Sequence, residues 1–261
     1  MKPVVLISGA SSGIGAALAK VFAANGHALA LVARRQDRLE ALAEEIVASG
    51  QARPTVIAAD LERRDAASIV AAELSSHGLE PAIVVNNAGF GLRGASVALS
   101  RDEQLAMIDL NVRALTELSL MFVDSVARHR GGILNVASLA AFLPGPGMAV
   151  YYASKAYVLS FSEALHRELS ERGVRVTALC PGPVPTEFQA RAGLALAPAA
   201  RVLELPAERV AQIGYDALMA GKRVVIAGIG NRIVVSLMRL VPNALLLRLA
   251  DQRPREARAA E

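Results

Sequence analysis

Tyr151, Tyr152 and Lys155 lie together in the otherwise small and apolar segment AVYYASKAYVLS (149–160). A free phenol ionises near pH 10, too high for fast proton exchange at neutral pH. An ammonium held beside it favours the phenolate and lowers that value. Residues four apart share one face of a helix, so Tyr151 and Lys155 can touch. Tyr152 points roughly 100° further round and is expected to miss the cleft that Tyr151 faces, leaving it to packing or a pocket wall. Ser138, earlier in the chain, has a hydroxyl that can donate to a substrate oxygen as charge develops there.

A second group of residues suits a phosphate. SGASSGIG (8–15) places Gly9, Gly13 and Gly15 among Ser11, Ser12 and Ile14. Backbone without Cβ turns tightly and lets a pyrophosphate approach the N–H groups that open a helix. The spacing G-x3-G-x-G departs from the G-x-G-x-x-G dinucleotide fingerprint, and glycines after a strand also serve ordinary turns. Further on, Ala33 leads into Arg34 and Arg35, with no carboxylate before Asp37. An acid at this point would bond ribose hydroxyls, whereas two guanidiniums suit a 2′-phosphate, so NADP(H) is expected. Asp60, followed by Leu61, could accept from an adenine amino group or cap a helix. In NNAG (86–89), Asn86 and Asn87 can bond loops or the adenosine, and Ala88-Gly89 lets backbone pass close to a cofactor.

The elements that position these residues read as an alternation. Strands are expected at 3–8, 27–33, 54–60, 82–87, 132–138, 174–180 and 223–228, with helices at 13–24, 36–48, 65–76, 102–128 and 151–171. Such a pattern demands an α/β fold, a doubly wound parallel (Rossmann) sheet of about seven strands in a single domain. Its catalytic unit would cover 1–228, leaving 181–205 loop-like and 229–261 as an apolar and basic extension. Ligands of such sheets bind outside the carboxyl ends of the strands, where the residues above fall.

Composition narrows the function class. Of 261 residues, 53% are hydrophobic, enough to bury both faces of a sheet. The single cysteine, Cys180, excludes an internal disulfide, and the four histidines lie far apart, so no metal site is expected. Met1 leads directly into an apolar strand, and a cytoplasmic location is the expectation. The net charge of +4 comes with C-terminal arginines (Arg248, Arg253, Arg255, Arg258) but no interleaved aromatics, which argues against nucleic-acid binding.

Together SGASSGIG, NNAG, Asn111 within DLNV, Ser138, YYASK (151–155) and PGPVPT (181–186) fall in the order and spacing of the short-chain dehydrogenase/reductase family. The chain resembles its shorter, non-extended branch over residues 4–186. The resemblance implies Tyr151 as general acid in carbonyl reduction and base in alcohol oxidation. Lys155 would lower the Tyr151 pKa and bond the nicotinamide ribose, Ser138 would polarise the substrate oxygen, and Asn111 would kink its helix and hold a relay water. Pro181, Gly182, Val184 and Thr186 would border the nicotinamide. Ser8 stands where the family usually has threonine, and Ser12 where a basic residue can precede the second glycine, so the NADP expectation rests on Arg34 and Arg35. The implied reaction is NADPH-dependent reduction of a ketone or aldehyde, with transfer of the pro-S hydride.

The variable regions bear on the substrate. Segment 187–205, where the family keeps a mobile lid, is mostly Ala and Leu around Phe188, which favours a fairly hydrophobic small molecule. Arg93 or Arg191 near the pocket would suit the alternative of a 3-oxoacyl-thioester reductase; a non-catalytic NADP-binding redox sensor is the alternative of another class. The stretch 231–250 repeats Ile233, Leu237, Val241 and Val234, Met238 at helical spacing, but its apolar runs are too short to span a bilayer. It is expected to cover the pocket or a partner subunit, with membrane contact the less favoured use. A homodimer or homotetramer is expected.

Overall fold

The structure, a computed structural model, describes residues 1–193, 198–238, 240–242, 244–245 and 247. Strand β1 (Lys2–Ser8) sends Val5 and Ile7 to one face and Val4 and Leu6 to the other, and all four are buried. A strand apolar on both faces needs helices above and below it. The chain supplies them in turn as α1 (Gly13–Ala24), β2 (Leu29–Ala33), α2 (Gln36–Ala48), β3 (Thr55–Ala58), α3 (Ala66–Ser76) and β4 (Leu79–Asn86). There follow α4 (Arg101–Ile108), a π-helical turn (Asp109–Ala114), α5 (Leu115–Met121), α6 (Val123–Arg128), β5 (Gly132–Val136) and α7 (Ala149–Leu169). The last elements are β6 (Arg175–Cys180), α8 (Glu187–Arg191), α9 (Ala207–Met219), β7 (Val224–Ile226) and α10 (Ile229–Met238).

All seven strands pair in parallel, in the order β3-β2-β1-β4-β5-β6-β7. Helices α1, α2 and α9 pack one face, while α3, α5, α6 and α7 pack the other. The order reverses between β1 and β4, which opens a crevice at their carboxyl ends. This is the doubly wound single-domain α/β fold expected from the alternation.

Four local expectations are corrected. The helix expected as one piece over 102–128 is interrupted by the π turn and again at Phe122. The segment 181–205 holds α8 and a 3₁₀ turn (Pro198–Leu203) rather than plain loop. Helix α9, which buries Val210, Ala211, Gly214, Ala217 and Leu218, lies where no helix was expected. Helix α10 buries Asn231 and Val235, while Ile233 and Leu237 of the expected stripe face outward. Residues 194–197, the side chain of Arg191, Arg239 and everything from Arg248 onward lie outside the described residues.

Candidate active site

The turn after β1 is held by hydrogen bonds from the Ser8 hydroxyl and the Asn87 amide. Ser8 Oγ donates to Val85 O (3.2 Å) and accepts from Asn87 N (3.0 Å) and Ala88 N (3.2 Å). Asn87 Nδ2 returns bonds to the carbonyls of Ser8 and Gly9, both at 3.1 Å. Gly9 has φ +65°, and a Cβ there would sit 2.7 Å from Ala88 Cα; one on Gly15 would lie 2.2 Å from Gly9 O. Helix α1 can therefore start directly behind the turn. Ser12 precedes it without a side-chain cap, and its first turn carries no acid. The opening N–H groups are left for an anion, as a dinucleotide pyrophosphate requires.

Beside that turn both arginines are engaged. Arg34 Nη1 pairs with Glu62 Oε1 at 3.0 Å. Arg35 Nη2 donates to Ser11 Oγ (3.1 Å) and Ser12 Oγ (3.0 Å), and its Nη1 meets Glu187 Oε2 at 2.8 Å. Asp60 does not cap α3, which begins at Ala66; its Oδ1 accepts from Glu62 N (3.1 Å) and closes a local turn. Neither Glu62 nor Glu187 was singled out in the sequence. Their roles depend on contacts between distant segments, which spacing does not reveal.

Tyr151 and Lys155 lie in the first two turns of α7, at the far end of the same crevice, and both are buried. Burial pushes the Tyr151 phenol up to about 12, opposed by a hydrogen bond with Ser138, with Tyr152 adding to the rise. Burial pulls the Lys155 ammonium down to about 8. Lys155 Nζ donates to Val136 O (2.8 Å) and stands 6.0 Å from the centre of the Tyr151 ring. The lowering of Tyr151 expected from Lys155 is not found: burial raises the phenol, and the opposing effect comes from Ser138. Strand β5 ends at Val136, so Ser138 sits in the following loop, where its Oγ accepts from Ala140 N (3.1 Å).

Asn111 lies in the π turn, fully buried. Its side chain bonds both polar groups of the Phe90 backbone, at 3.1 Å to N and 3.0 Å to O, and donates to Ser154 Oγ at 3.1 Å. Those bonds attach the loop after β4 to α7 beside the tyrosine. A Cβ on Gly89 would lie 2.8 Å from Asn111 Oδ1 and 3.5 Å from Lys155 Nζ. Only a bare backbone passes there.

One cleft of about 770 Å³ joins the two ends. Of the residues expected to form the site, all but Gly15, Asn86 and Asn111 line it; Asn86 is buried and donates to Ser119 Oγ (2.9 Å) and Asn135 Oδ1 (2.8 Å) instead of facing an adenosine. Tyr152 lines it too, correcting the expectation that it would miss the cleft. Its ring meets Tyr151 edge-on at 6.1 Å and lies against Gly145, where a Cβ would come within 2.4 Å of it. The reason is that the loop of 143–148 folds over the start of α7, so two neighbouring faces of the helix border one cavity. Phe188, 5.4 Å from the Tyr151 ring, contributes apolar wall with Met148, Leu203 and Met238. Among the described residues no cluster of His, Cys, Asp or Glu could hold a metal, and no helix is long and apolar enough to cross a membrane.

The family model described as short chain dehydrogenase matches residues 3–196. A sulfoacetaldehyde reductase of Chromohalobacter salexigens is 40% identical over 191 residues, which are 72% of this chain and 75% of that one. A short-chain dehydrogenase from Sphingobium yanoikuyae, solved with NADPH, superposes with a TM-score of 0.80 at 33% identity, covering 97% of each chain. A Burkholderia phymatum short-chain dehydrogenase/reductase solved with NAD has a TM-score of 0.79 at 25% identity, covering 90% of this chain and 92% of that one.

Proposed function

The chain belongs to the short-chain dehydrogenase family and is an oxidoreductase, and on that premise we propose that it uses NADP(H) to interconvert a ketone or aldehyde with its alcohol on a fairly hydrophobic small molecule. The observation that carries this reading is the single cleft running from Arg34, Arg35 and the glycine turn to Ser138, Tyr151 and Lys155. Gly9, the α1 N-terminus, Asp60, Asn87 and Thr186 would hold the dinucleotide. Bound there, it supplies or accepts the hydride.

The protein's own part is binding and proton transfer. In reduction, the Ser138 hydroxyl donates a hydrogen bond to the carbonyl oxygen and fixes it beside Tyr151. The Tyr151 phenol, protonated at neutral pH, gives its proton to that oxygen as it becomes an alkoxide. The phenolate left behind is stabilised by the Lys155 ammonium, still largely charged at neutral pH. Asn111 acts at one remove, by fixing the Phe90 backbone and Ser154. Phe188, Met148, Leu203 and Met238 offer a substrate apolar walls, which disfavour an unpaired polar group.

The preference for NADP(H) is supported by the two arginines and the lack of a carboxylate before Asp37. The NADPH of the Sphingobium relative agrees with it, and the NAD of the Burkholderia one makes NADH the competing cofactor. Exposed Leu105, Ile108, Leu120 and Met121 on α4 and α5 support a homodimer or homotetramer. The test is consumption of NADPH and of NADH across ketones, aldehydes and 3-oxoacyl thioesters. Tyr151→Phe is expected to cut turnover about 10³-fold with NADPH binding unchanged, and Tyr152→Phe to cost less than about threefold. Comparable losses from both would overturn the assignment of Tyr151.

A further inference from the structure

Arg35 ties together two parts of the molecule that meet only at the cleft. It belongs to the nucleotide end, directly after β2, whereas Glu187 opens α8 directly after Thr186. The Arg35–Glu187 contact of 2.8 Å is exposed, and it holds the Glu187 carboxyl below the usual carboxylate range through the hydrogen bond from Arg35 and its charge. Arg35 Nη2 also holds Ser11 and Ser12, so one guanidinium bridges the nucleotide turn and Glu187. A 2′-phosphate on Arg35 would bring roughly two negative charges beside that carboxylate. A phosphate beside Arg35 would have to share its guanidinium with the carboxylate that Nη1 already holds.

The other arginine is arranged differently. Its partner Glu62 has its backbone N–H bonded to Asp60 and its carbonyl bonded to Arg113 Nη2 at 2.7 Å. The Glu62 backbone is pinned in place, whereas Glu187 stands at the start of the segment over the cleft. Resting on the NADP(H) reading, we infer that Glu187 is a specificity-determining residue that competes with the cofactor 2′-phosphate for Arg35. It occupies the phosphate's partner when the phosphate is absent, and so lowers affinity for NADP(H) while leaving NAD(H) untouched. Discrimination between the two cofactors is then set by a residue of the substrate side as well as by the two arginines.

The experiment is a fluorescence titration of NADPH and NADH binding to the wild type, Glu187→Gln, Arg35→Ala and the double variant. Glutamine keeps the size of the side chain and its capacity for hydrogen bonds and removes the charge. Glu187→Gln is expected to tighten NADPH about fivefold, the scale of one exposed ion pair, and to leave NADH within about twofold. That gain should vanish in the Arg35→Ala background. Unchanged or weaker NADPH binding by Glu187→Gln would overturn the inference. An equal gain with and without Arg35 would also overturn it, because it would mean direct repulsion rather than competition. If Arg35→Ala weakens NADPH and NADH alike, the NADP(H) reading itself falls. If Arg35→Ala is selective for NADPH and Glu187→Gln brings no gain, only the inference falls.

Discussion

Tyr151 and Lys155 are both buried, and burial moves their proton affinities in opposite directions. Lys155 falls from 10.5 to about 8 in the folded protein. Between those values the unfolded chain holds more protons, so this residue adds stability as pH rises from about 8 to about 10.5. Tyr151 rises from 10.0 to about 12, so the folded protein holds the extra proton there and stability is lost as pH climbs through that window. Lys155→Met should therefore flatten the gain between about pH 8 and 10 and leave the fall above 10, in urea midpoints measured from pH 7 to 11. A wild-type–variant difference that does not vary with pH would mean that Lys155 titrates near its ordinary value. The pairing of Tyr151 with Lys155 was legible in the sequence as a four-residue helical step. Their burial was not, because it is imposed by Ser138, Phe188 and the loop of 143–148, which come from elsewhere in the chain.

At the scale of elements, the π turn at 109–114 sets the geometry. Its extra residue rotates Asn111 toward Phe90 and Ser154, while Arg113 reaches back to the carbonyls of Glu62 (2.7 Å) and Arg63 (3.1 Å). One irregular turn thus braces the loop after β4 and the loop after β3 together. Asn111→Ala would remove both side-chain bonds to the Phe90 backbone and the one to Ser154 and is expected to cost roughly 3 kcal/mol in urea unfolding. A loss under about 0.5 kcal/mol would show that the Phe90 backbone finds other partners. A single inserted residue hardly changes an apolar periodicity, which is why 102–128 reads as an unbroken helix. The β-branched strands read clearly because the parallel sheet demands apolar residues on both faces. Helix α9 lies close against β5 and β6 through Gly214, where a Cβ would come 2.8 Å from Leu179 Cδ2, a proximity that sequence spacing does not reveal.

For the molecule as a whole, the sheet order puts every candidate residue at one edge, and the C-terminal extension closes part of it. Asn231 in α10 donates to Ala227 O (2.7 Å) and Leu203 O (3.2 Å), and packs so close to Gly182 that a Cβ there would lie 2.4 Å from its Nδ2. Met238→Ala should keep dinucleotide affinity within about threefold and raise KM for an apolar ketone about threefold, since it removes part of the apolar wall. Unchanged KM would remove Met238 from the substrate site. That the sequence there is apolar was legible; which side of α10 would be buried was not, because both sides carry large apolar residues. The crevice itself depends on Ser8, whose one hydroxyl spans the ends of β1 and β4. Its oxygen acts as a spacer of fixed length, setting how far two adjacent strands diverge before a nucleotide arrives. Packing would have allowed a range of widths; a three-bonded oxygen allows one. A substitution that retains the hydroxyl preserves the gauge, and one that removes it takes from the Asn87 and Ala88 N–H groups the oxygen they share.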